Sequence, residues 1–220
     1  MDTERVMKLL VAANALKTND HFVYTSGLHG SEYVLKDALY LHTHDTSEIC
    51  KMLALEFDNM GVEVVAAPAM GGIILSHSIT FHLQTLNMDR PGTAEILSVY
   101  AEKVGEKGKE RFAFTRGYDK VLPGKRVLVV EDLLNTGGSA LEIVELVRSL
   151  GGEVIGVGAL LNRGKVTAAQ VGGVPKLACA GAVDMKAYDA ADCPLCAAKI
   201  PINTEVGHGR KFVAQHGQPS

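Results

Sequence analysis

Two adjacent carboxylates stand at the end of an apolar run in the middle of the chain. Residues 127–130 (Val-Leu-Val-Val) predict a buried strand, Glu131 and Asp132 follow it, and a Thr-Gly-Gly-Ser segment occupies 136–139. This segment combines backbone N–H groups, hydroxyls and the positive end of a following helix, which together suit a phosphate. The carboxylates would repel a phosphate but suit vicinal sugar hydroxyls or a nearby Mg²⁺. The pattern therefore indicates a site for a ribose phosphate.

A structural interpretation of the same stretch stays open from the residues alone. Asp132 could cap the next helix while the glycines form a tight turn. That interpretation leaves Glu131 without a role. Other nucleotide-binding motifs are excluded, because the sequence contains no G-x-x-x-x-G-K-[ST] and because Gly156-x-Gly158 lacks a third glycine.

The bulk composition restricts the class of protein. The chain has 220 residues, 47% of them hydrophobic, which suits one α/β domain, and its net charge of −3 argues against a nucleic-acid-binding surface. Apolar runs fall well short of the roughly 20 residues of a membrane-spanning helix, and the charged N-terminus is unlike a secretory signal. We therefore expect a cytoplasmic protein whose partners are small molecules, with no nucleic acid and no membrane among them.

Strands and helices alternate along most of the chain. In the first third of the chain, apolar spacing and turn residues predict a helix over 4–17, a hairpin over 21–36, and a helix over about 47–60 that Asp45 or Thr46 caps and Gly61 ends. A strand, loop and helix are predicted from 62, followed by two strands around a polar segment at 103–110. A second strand, loop and helix are predicted over 126–150, and further strands at 152–162 and 175–183. This order predicts βαβ crossovers and a mainly parallel sheet. From Asp192 onward the sequence predicts a loop-rich tail.

Three loops of this chain can form a ligand site. In an open parallel sheet, ligands bind at the carboxyl ends of the strands, where loops meet helix N-termini. The loops that qualify are APAMGG at 67–72, EDLLNTGGSA at 131–140 and LLNRGK at 160–165.

A C-x-x-C pair stands in the tail, as Cys193-Pro-Leu-Cys196. It could be half of a zinc site that His208 or His216 completes, a redox pair, or a reduced turn without further function. The other two cysteines, Cys50 and Cys179, form no second C-x-x-C. The residues alone do not decide among these alternatives, and we assign no metal ligand from the sequence.

The segment VLVVEDLLNTGGSA resembles the motif with which type I phosphoribosyltransferases bind 5-phosphoribosyl 1-diphosphate (PRPP): a hydrophobic strand, two acids, then Thr-Gly-Gly-Ser. Five further segments are similar in order and spacing to bacterial orotate phosphoribosyltransferases with a C-terminal C-P-x-C tail: HFVYTSGLHGSEYVLKDAL, PAMGGIIL, VYAEK, TRGY and CPLCAAKIPI. The likeness covers about residues 20–205.

The resemblance implies a fold and a reaction. The expected fold is α/β and type I phosphoribosyltransferase-like, a single domain over 1–220, with a mainly parallel central sheet flanked by helices. A small hood would comprise about 1–45 plus the tail, and the core about 46–190. The expected enzyme transfers the 5-phosphoribosyl group from PRPP to orotate with Mg²⁺ as cofactor, releases diphosphate, and forms a homodimer.

The resemblance also implies roles for individual residues. Lys103, Glu131 and Asp132 would be catalytic, with the lysine at the base of a closing loop and the acids on the ribose hydroxyls. The backbone of Met70, Gly71 and Gly72 would approach the diphosphate. Thr25, Ser26 and Gly27 would lie over the nucleobase as part of the hood, and Arg163 would contact the nucleobase. The 5-phosphate would lie against Thr136, Gly137, Gly138 and Ser139, and the adjacent Asn135 would also bind substrate.

The sequence departs from the family pattern at four positions. Gly71 replaces a lysine, Glu102 an arginine, Asn135 a threonine and Asn162 an aspartate. We expect the two asparagines to affect the catalytic rate or the choice of base. Two other functions therefore stay open: a phosphoribosyltransferase for another base, and a regulator that senses PRPP without catalysis. The absence of a DNA-binding domain and the negative net charge argue against the regulator.

Overall fold

The computed structural model describes residues 1–88, 90, 92, 94–183 and 185–219. It comprises two compact units. The core unit consists of Met1–Val6 and His42–Val183, and the hairpin unit consists of Met7–Leu41 and Asp184–Ser220. The expectation of one domain over 1–220 stays a prediction. Among the described helices, none is long and apolar enough to cross a membrane.

The regular elements follow the predicted alternation of strands and helices. The helices are α1 (Thr3–Ala12), α2 (Lys36–Tyr40), α3 (Thr43–Phe57), α4 (Gly71–Asn87), α5 (Gly138–Ser149), α6 (Pro194–Ala197) and α7 (Gly209–His216). The strands are β1 (Leu16–Lys17), β2 (Phe22–Val23), β3 (His29–Gly30), β4 (Tyr33–Val34), β5 (Val64–Pro68), β6 (Leu97–Val104), β7 (Arg111–Ala113), β8 (Arg126–Leu134), β9 (Glu153–Asn162) and β10 (Leu177–Ala182).

A six-stranded sheet forms the centre of the core unit, in the order β10-β9-β8-β5-β6-β7. Neighbouring strands run parallel except β7, which pairs antiparallel with β6. The predicted mainly parallel sheet is therefore confirmed. Because the carboxyl ends of parallel strands meet at one edge, the loops after β5, β8 and β9 leave the sheet on the same side.

Two glycines of β9 make room for an aromatic ring of α3. A Cβ atom on Gly156 would lie 2.7 Å from Cε1 of Phe57, and one on Gly158 would lie 3.2 Å from Cε2 of the same ring. Phe57 is fully buried. The Gly-x-Gly pattern that sequence analysis excluded as a nucleotide motif thus has a packing role.

The first helix is shorter than predicted. It ends at Ala12, and Asn14 adopts a left-handed conformation with φ of 54°. Asparagine tolerates this region because its short polar side chain bonds locally. Leu16–Lys17 then pairs antiparallel with Tyr33–Val34, so the end of the predicted helix is a strand in the hairpin unit.

The second predicted helix is displaced along the chain. It begins at Thr43 with His42 as its N-cap, so Asp45 and Thr46 lie inside it, and it ends at Phe57 rather than at Gly61. Thr46 is buried, and its N–H donates to the carbonyl of His42 at 2.9 Å. Tertiary burial here overrides the local preference of threonine for a cap. The tail is also more regular than predicted, because α6 and α7 lie within it.

We predict that Gly156→Ala destabilises the core unit by overpacking Phe57, at a cost of about 1–3 kcal/mol in the free energy of unfolding. Adding Phe57→Leu should return part of this loss, because it removes the ring carbons nearest to the new methyl group and leaves only the contact with the Lys176 carbonyl oxygen. Urea unfolding of both single variants and the double variant measures the coupling. Strictly additive losses would contradict this packing role.

Candidate active site

The loops that leave the carboxyl edge of the sheet bring most of the predicted site residues to one side of the core unit. Met70, Gly71 and Gly72 follow β5, residues 135–139 follow β8, and Arg163 follows β9. Lys103 lies near the carboxyl end of β6. Sequence positions that are tens of residues apart therefore share one edge because of the strand order.

Glu131 and Asp132 lie within β8 rather than after it, because the strand continues to Leu134. Both side chains are buried, with 7% and 4% exposure, and the Asp132 N–H donates to Glu131 Oε1 at 3.0 Å. The N-cap of α5 is Gly137, and it forms no side-chain cap bond. The capping interpretation of Asp132 is therefore wrong.

Glu131 shares a pocket with the predicted phosphate loop. The pocket has a volume of about 140 Å³ and is lined by Glu131, Leu133, Leu134, Asn135, Thr136, Gly137, Gly138, Ser139 and Ala140. The Leu141 N–H donates to the carbonyl of Gly137 at 2.8 Å, so the preceding amides lie before the first full helical bond of α5. These amides and the helix dipole make the pocket favourable for an anion. Glu131 lines the same pocket as these amides.

Gly137 is required by its conformation and by its surroundings. Its φ is 81°, and a Cβ atom would lie 2.9 Å from Cγ1 of Val166 and 3.1 Å from Cγ1 of Val171. Any larger residue would be strained and would displace the wall behind the phosphate loop.

The loop that carries Arg163 is bonded to the end of β8. The N–H groups of Arg163 and Gly164 both donate to the Leu134 carbonyl, at 2.9 and 3.0 Å. A Cβ atom on Gly164 would lie 1.5 Å from the carbonyl oxygen of Asn135, so glycine alone permits this approach. Gly164 was not among the predicted site residues, although the Asn-Arg-Gly-Lys stretch is a turn signal. Arg163 thus belongs to the same assembly as the phosphate loop.

The hydrogen bonds of Asn162 give a structural reason for the asparagine at this position, which departs from the family pattern. Its Nδ2 donates to the Val166 carbonyl at 2.8 Å, and its Oδ1 accepts from the Val166 N–H at 2.9 Å. Aspartate could only accept, so the amide is required for both bonds. The side chain closes the loop that carries Arg163, and this supports a positioning role rather than a direct effect on the choice of base.

Lys103 lies on a hairpin at the edge of the sheet. It pairs with Phe112 across β6 and β7, and its Nζ lies 5.4 Å from the centroid of the Phe112 ring. The side chain is exposed. Glycines with positive φ stand at Gly105 and Gly108 in the segment that joins the two strands.

Glu102, another departure from the pattern, has a local ion-pair partner. Arg116 Nη2 lies 3.0 Å from Glu102 Oε1, and Thr115 Oγ1 donates to Glu102 Oε2. The Arg116 guanidinium, followed by the Thr115 hydroxyl, lowers the pKa of the Glu102 carboxyl below its ordinary value. Glu102 therefore organises the segment after β7 on which Arg116 lies.

Residues 70–72, the predicted diphosphate loop, form the start of α4 and its N-cap. Met70 is 83% exposed and is the N-cap of the helix. The Ala69 N–H donates to the Ala101 carbonyl at 2.8 Å, which joins this loop to β6. A Cβ atom on Gly72 would lie 2.7 Å from Ala67 Cβ. Gly72 is therefore required for packing α4 on β5, whether or not its backbone also contacts the substrate.

Thr25, Ser26 and Gly27 lie in the hairpin unit, at the exposed tip between β2 and β3. The Gly27 N–H donates to the Tyr24 carbonyl at 2.9 Å, and Gly27 has a φ of 85°. The predicted hairpin around this turn is confirmed. Contact of these three residues with the base stays a prediction.

Comparisons with known proteins agree with this geometry. The family model described as the phosphoribosyl transferase domain matches residues 43–178. The chain belongs to the phosphoribosyltransferase family. An orotate phosphoribosyltransferase of Desulforamulus reducens is 35% identical over 201 residues, which are 91% of this chain and 95% of that protein. That of Pelotomaculum thermopropionicum is 39% identical over 182 residues, 82% of this chain and 85% of the relative.

Solved structures confirm the fold of this phosphoribosyltransferase. Orotate phosphoribosyltransferase from Aeropyrum pernix has a TM-score of 0.60 at 24% identity and covers 81% of this chain and 93% of its own. The Mycobacterium tuberculosis enzyme in complex with PRPP has a TM-score of 0.58 at 23% identity, with coverage of 81% and 96%. The predicted type I fold and the resemblance to orotate phosphoribosyltransferases are thus confirmed.

We predict that Gly137→Ala weakens PRPP binding by at least about tenfold, because the methyl group displaces the pocket wall and the left-handed backbone becomes strained. Gly124→Ala is the matched control, since Gly124 has a φ of 72° but a Cβ atom there would meet no atom within 4 Å. Calorimetric titration with PRPP and thermal unfolding compare the two variants. Equal PRPP affinity in both variants would contradict the assignment of this loop to the phosphate.

Proposed function

We propose that the protein transfers the 5-phosphoribosyl group of PRPP to orotate, giving orotidine 5-phosphate and diphosphate for pyrimidine nucleotide biosynthesis. The observation that carries this proposal is the single pocket that Glu131 shares with the N-terminal amides of α5. A carboxylate for sugar hydroxyls beside an anion site matches a ribose 5-phosphate. The names of the relatives support orotate as the acceptor.

Each group would stabilise a different part of the reaction. Residues 136–139 would hold the 5-phosphate, and Glu131 and Asp132 would hold the ribose, which becomes cationic at C1 as its bond to diphosphate breaks. Backbone at Gly71 would face the diphosphate, and Lys103 would offset the negative charge that grows on it. Catalysis of this kind consists of positioning and electrostatic stabilisation.

Mg²⁺ fits the chemistry of this edge. The cation prefers one or two carboxylates together with substrate oxygens and water, and β8 supplies Glu131 and Asp132. When bound, Mg²⁺ would neutralise charge on the diphosphate leaving group. The protein would contribute the buried carboxylates that orient the ribose hydroxyls beside it.

A homodimer and a cytoplasmic location belong to the same proposal. The Lys103 hairpin lies at the edge of the sheet with its side chain exposed, which suits a loop that serves a neighbouring subunit. The two substrates are small metabolites, and the reaction needs no membrane or nucleic acid.

The direct test is incubation of the protein with PRPP, Mg²⁺ and a panel of free bases, with nucleotide formation measured by chromatography. Orotate turnover above uracil, adenine, guanine and hypoxanthine is the expected result. Preferred turnover of another base would support phosphoribosyl transfer as the reaction but would show that orotate is not the acceptor. PRPP binding without turnover of any base would indicate a PRPP-sensing regulator and overturn the enzymatic proposal.

We predict that Arg163 recognises the carboxylate that distinguishes orotate from uracil. Arg163→Ala should raise the activation free energy of the orotate reaction, obtained from the ratio of kcat/KM values, by about 3–5 kcal/mol, because the ligand carboxylate loses its partner in a closed site. PRPP affinity should change little. Lys165→Ala removes an equal charge from the same loop and is the control. If Arg163→Ala keeps the preference for orotate over uracil, this loop does not select the base.

We predict that Lys103 acts across a dimer interface. Lys103→Ala should lower kcat and leave PRPP affinity nearly unchanged, because the ammonium meets charge that develops in the transition state. Mixing Lys103→Ala with Glu131→Gln subunits should restore activity up to about a quarter of wild type, since half of randomly paired dimers are mixed and each has one intact site. No recovery in a mixture that native mass spectrometry shows to contain heterodimers would place the lysine in its own subunit's site.

A further inference from the structure

Four metal-ligating side chains converge in the hairpin unit. They are His21, His29, Cys193 and Cys196, and their ligand atoms all lie within 4.8 Å of one another. His21, His29 and Cys193 are buried, and Cys196 is half-buried. The two histidines come from the N-terminal hairpin and the two cysteines from the tail, more than 160 residues later in the chain. All four residues belong to the hairpin unit, whereas the loops of the candidate active site belong to the core unit.

Three separations between histidine nitrogens and cysteine sulfurs match the edges of a tetrahedron around one ion. Zn²⁺ binds sulfur at about 2.3 Å and nitrogen at about 2.0–2.1 Å, so tetrahedral ligands lie about 3.3–3.8 Å apart. His21 Nε2 lies 3.7 Å from each cysteine Sγ, and His29 Nδ1 lies 3.4 Å from Cys196 Sγ. The two histidine nitrogens lie 2.9 Å apart, slightly closer than a bound ion would hold them.

The second nitrogen of His21 fixes the orientation of its ring. Nδ1 lies 2.8 Å from the Ile200 carbonyl, which can only accept, so Nδ1 carries the proton and Nε2 presents a lone pair to the cluster. A metal-binding histidine commonly donates its other N–H to a backbone carbonyl in this way. His29 turns Nδ1 toward the cluster, and its ring packs edge to face on Phe212 of α7, with centroids 4.6 Å apart.

The backbone holds both ends of the cluster in register. β2 and β3 pair Val23 with His29, and His29 also pairs with Tyr188 through bonds of 2.8 and 2.9 Å. On the cysteine side, Cys193 is the N-cap of α6 and Pro194 starts that helix. One helical turn then brings Cys196 back beside Cys193, which is the usual geometry of a C-x-x-C metal knuckle.

We propose that these four side chains bind one Zn²⁺ as a closed structural site. Two thiolates and two imidazoles are the donor set that selects Zn²⁺ in tetrahedral geometry. On binding, both thiols lose their protons to solvent, the imidazoles remain neutral, and the two thiolate charges balance the charge of the ion. All four positions are filled by protein, so the site has no open position for a substrate and is not catalytic.

The other interpretations of Cys193-Pro-Leu-Cys196 leave part of the cluster unexplained. A redox pair does not require histidines beside the two sulfurs. A turn without further function requires neither the histidines nor the cysteines. A plain hydrogen bond between His29 Nδ1 and His21 Nε2 would leave His29 Nε2 as a buried acceptor, and this atom has no hydrogen-bond partner in the described part of the chain. With the ion bound at Nδ1, Nε2 carries a proton instead, and an N–H tolerates an aromatic neighbour such as Phe212. His208 and His216 were the candidate partners of the C-x-x-C pair in the sequence, but the cluster contains neither of them.

The proposed ion would cross-link the tail to the N-terminal hairpin. His21 and His29 flank the turn at Thr25–Ser26–Gly27, and the ion would close a ring from this hairpin to the CPLC segment. Metal binding of this kind contributes directly to folding free energy. Loss of the ion should therefore loosen both hairpin and tail and leave the sheet of the core unit intact.

Metal analysis of the full chain is the first test. Protein expressed with zinc in the medium and purified without chelator should contain about one zinc per chain, as expected for a single four-ligand site. Cys193→Ser and Cys196→Ser should fall below about a tenth of that content. Cys179→Ser, which alters a half-buried cysteine of β10 in the core unit, should retain full content. Wild-type protein without zinc, or serine variants with full content, would overturn the proposal.

Cobalt substitution of the wild-type chain keeps the test valid if the serine variants do not fold. Chelator-treated protein titrated with Co²⁺ should develop the intense visible bands of a tetrahedral site and a thiolate-to-metal charge-transfer band, and both should disappear when Zn²⁺ is added. Zinc should also slow amide hydrogen exchange at residues 21–30 and 193–203 by at least about tenfold, with little change at 126–162. A six-coordinate cobalt spectrum, or exchange that zinc does not change, would refute a closed structural site.

Discussion

One carbonyl oxygen at the end of β8 holds the candidate active site together. The Leu134 carbonyl accepts from the N–H groups of Arg163 and Gly164, so the loop after β9 is bonded to the strand that carries Glu131 and Asp132. The absence of a side chain at Gly164 permits the contact with Asn135, and Asn162 closes the same loop. The backbone segments that carry the acids, residues 136–139 and Arg163 therefore form one assembly, which backbone hydrogen bonds and the short Asn162 side chain hold.

The sequence was sufficient for the alternation of elements and for the motif residues, because both depend on local patterns. Apolar runs and glycine loops predicted the parallel sheet, and the Thr-Gly-Gly-Ser segment lines a pocket at the start of α5, as expected for a loop that could bind a ligand. Helix ends were wrong at Asn14 and Thr43, where a left-handed residue and tertiary burial decided the outcome. Gly164 and the role of Asn162 could not be predicted, since they follow from contacts between loops that only the strand order brings together.

The metal cluster shows the same limit more clearly. The C-x-x-C pair was visible in the sequence, but its partners lie more than 160 residues earlier, on a hairpin whose histidines have no characteristic metal-binding spacing. Nearby histidines in the tail were the natural candidates and were wrong. The two units of the chain thus use different physical means: the core unit relies on an apolar sheet, and the hairpin unit, with its very short strands, would rely on an ion.

The central claim is that the buried carboxylate of Glu131 binds substrate and is not a structural group. Glu131→Gln keeps the shape of the side chain and removes its charge, so PRPP affinity measured by calorimetry, together with the melting temperature, tests this claim directly. We expect affinity to fall about 10- to 150-fold, the loss of one charge-assisted hydrogen bond, while the melting temperature stays within a few degrees of wild type. Unchanged PRPP affinity with a clearly lowered melting temperature would contradict the claim.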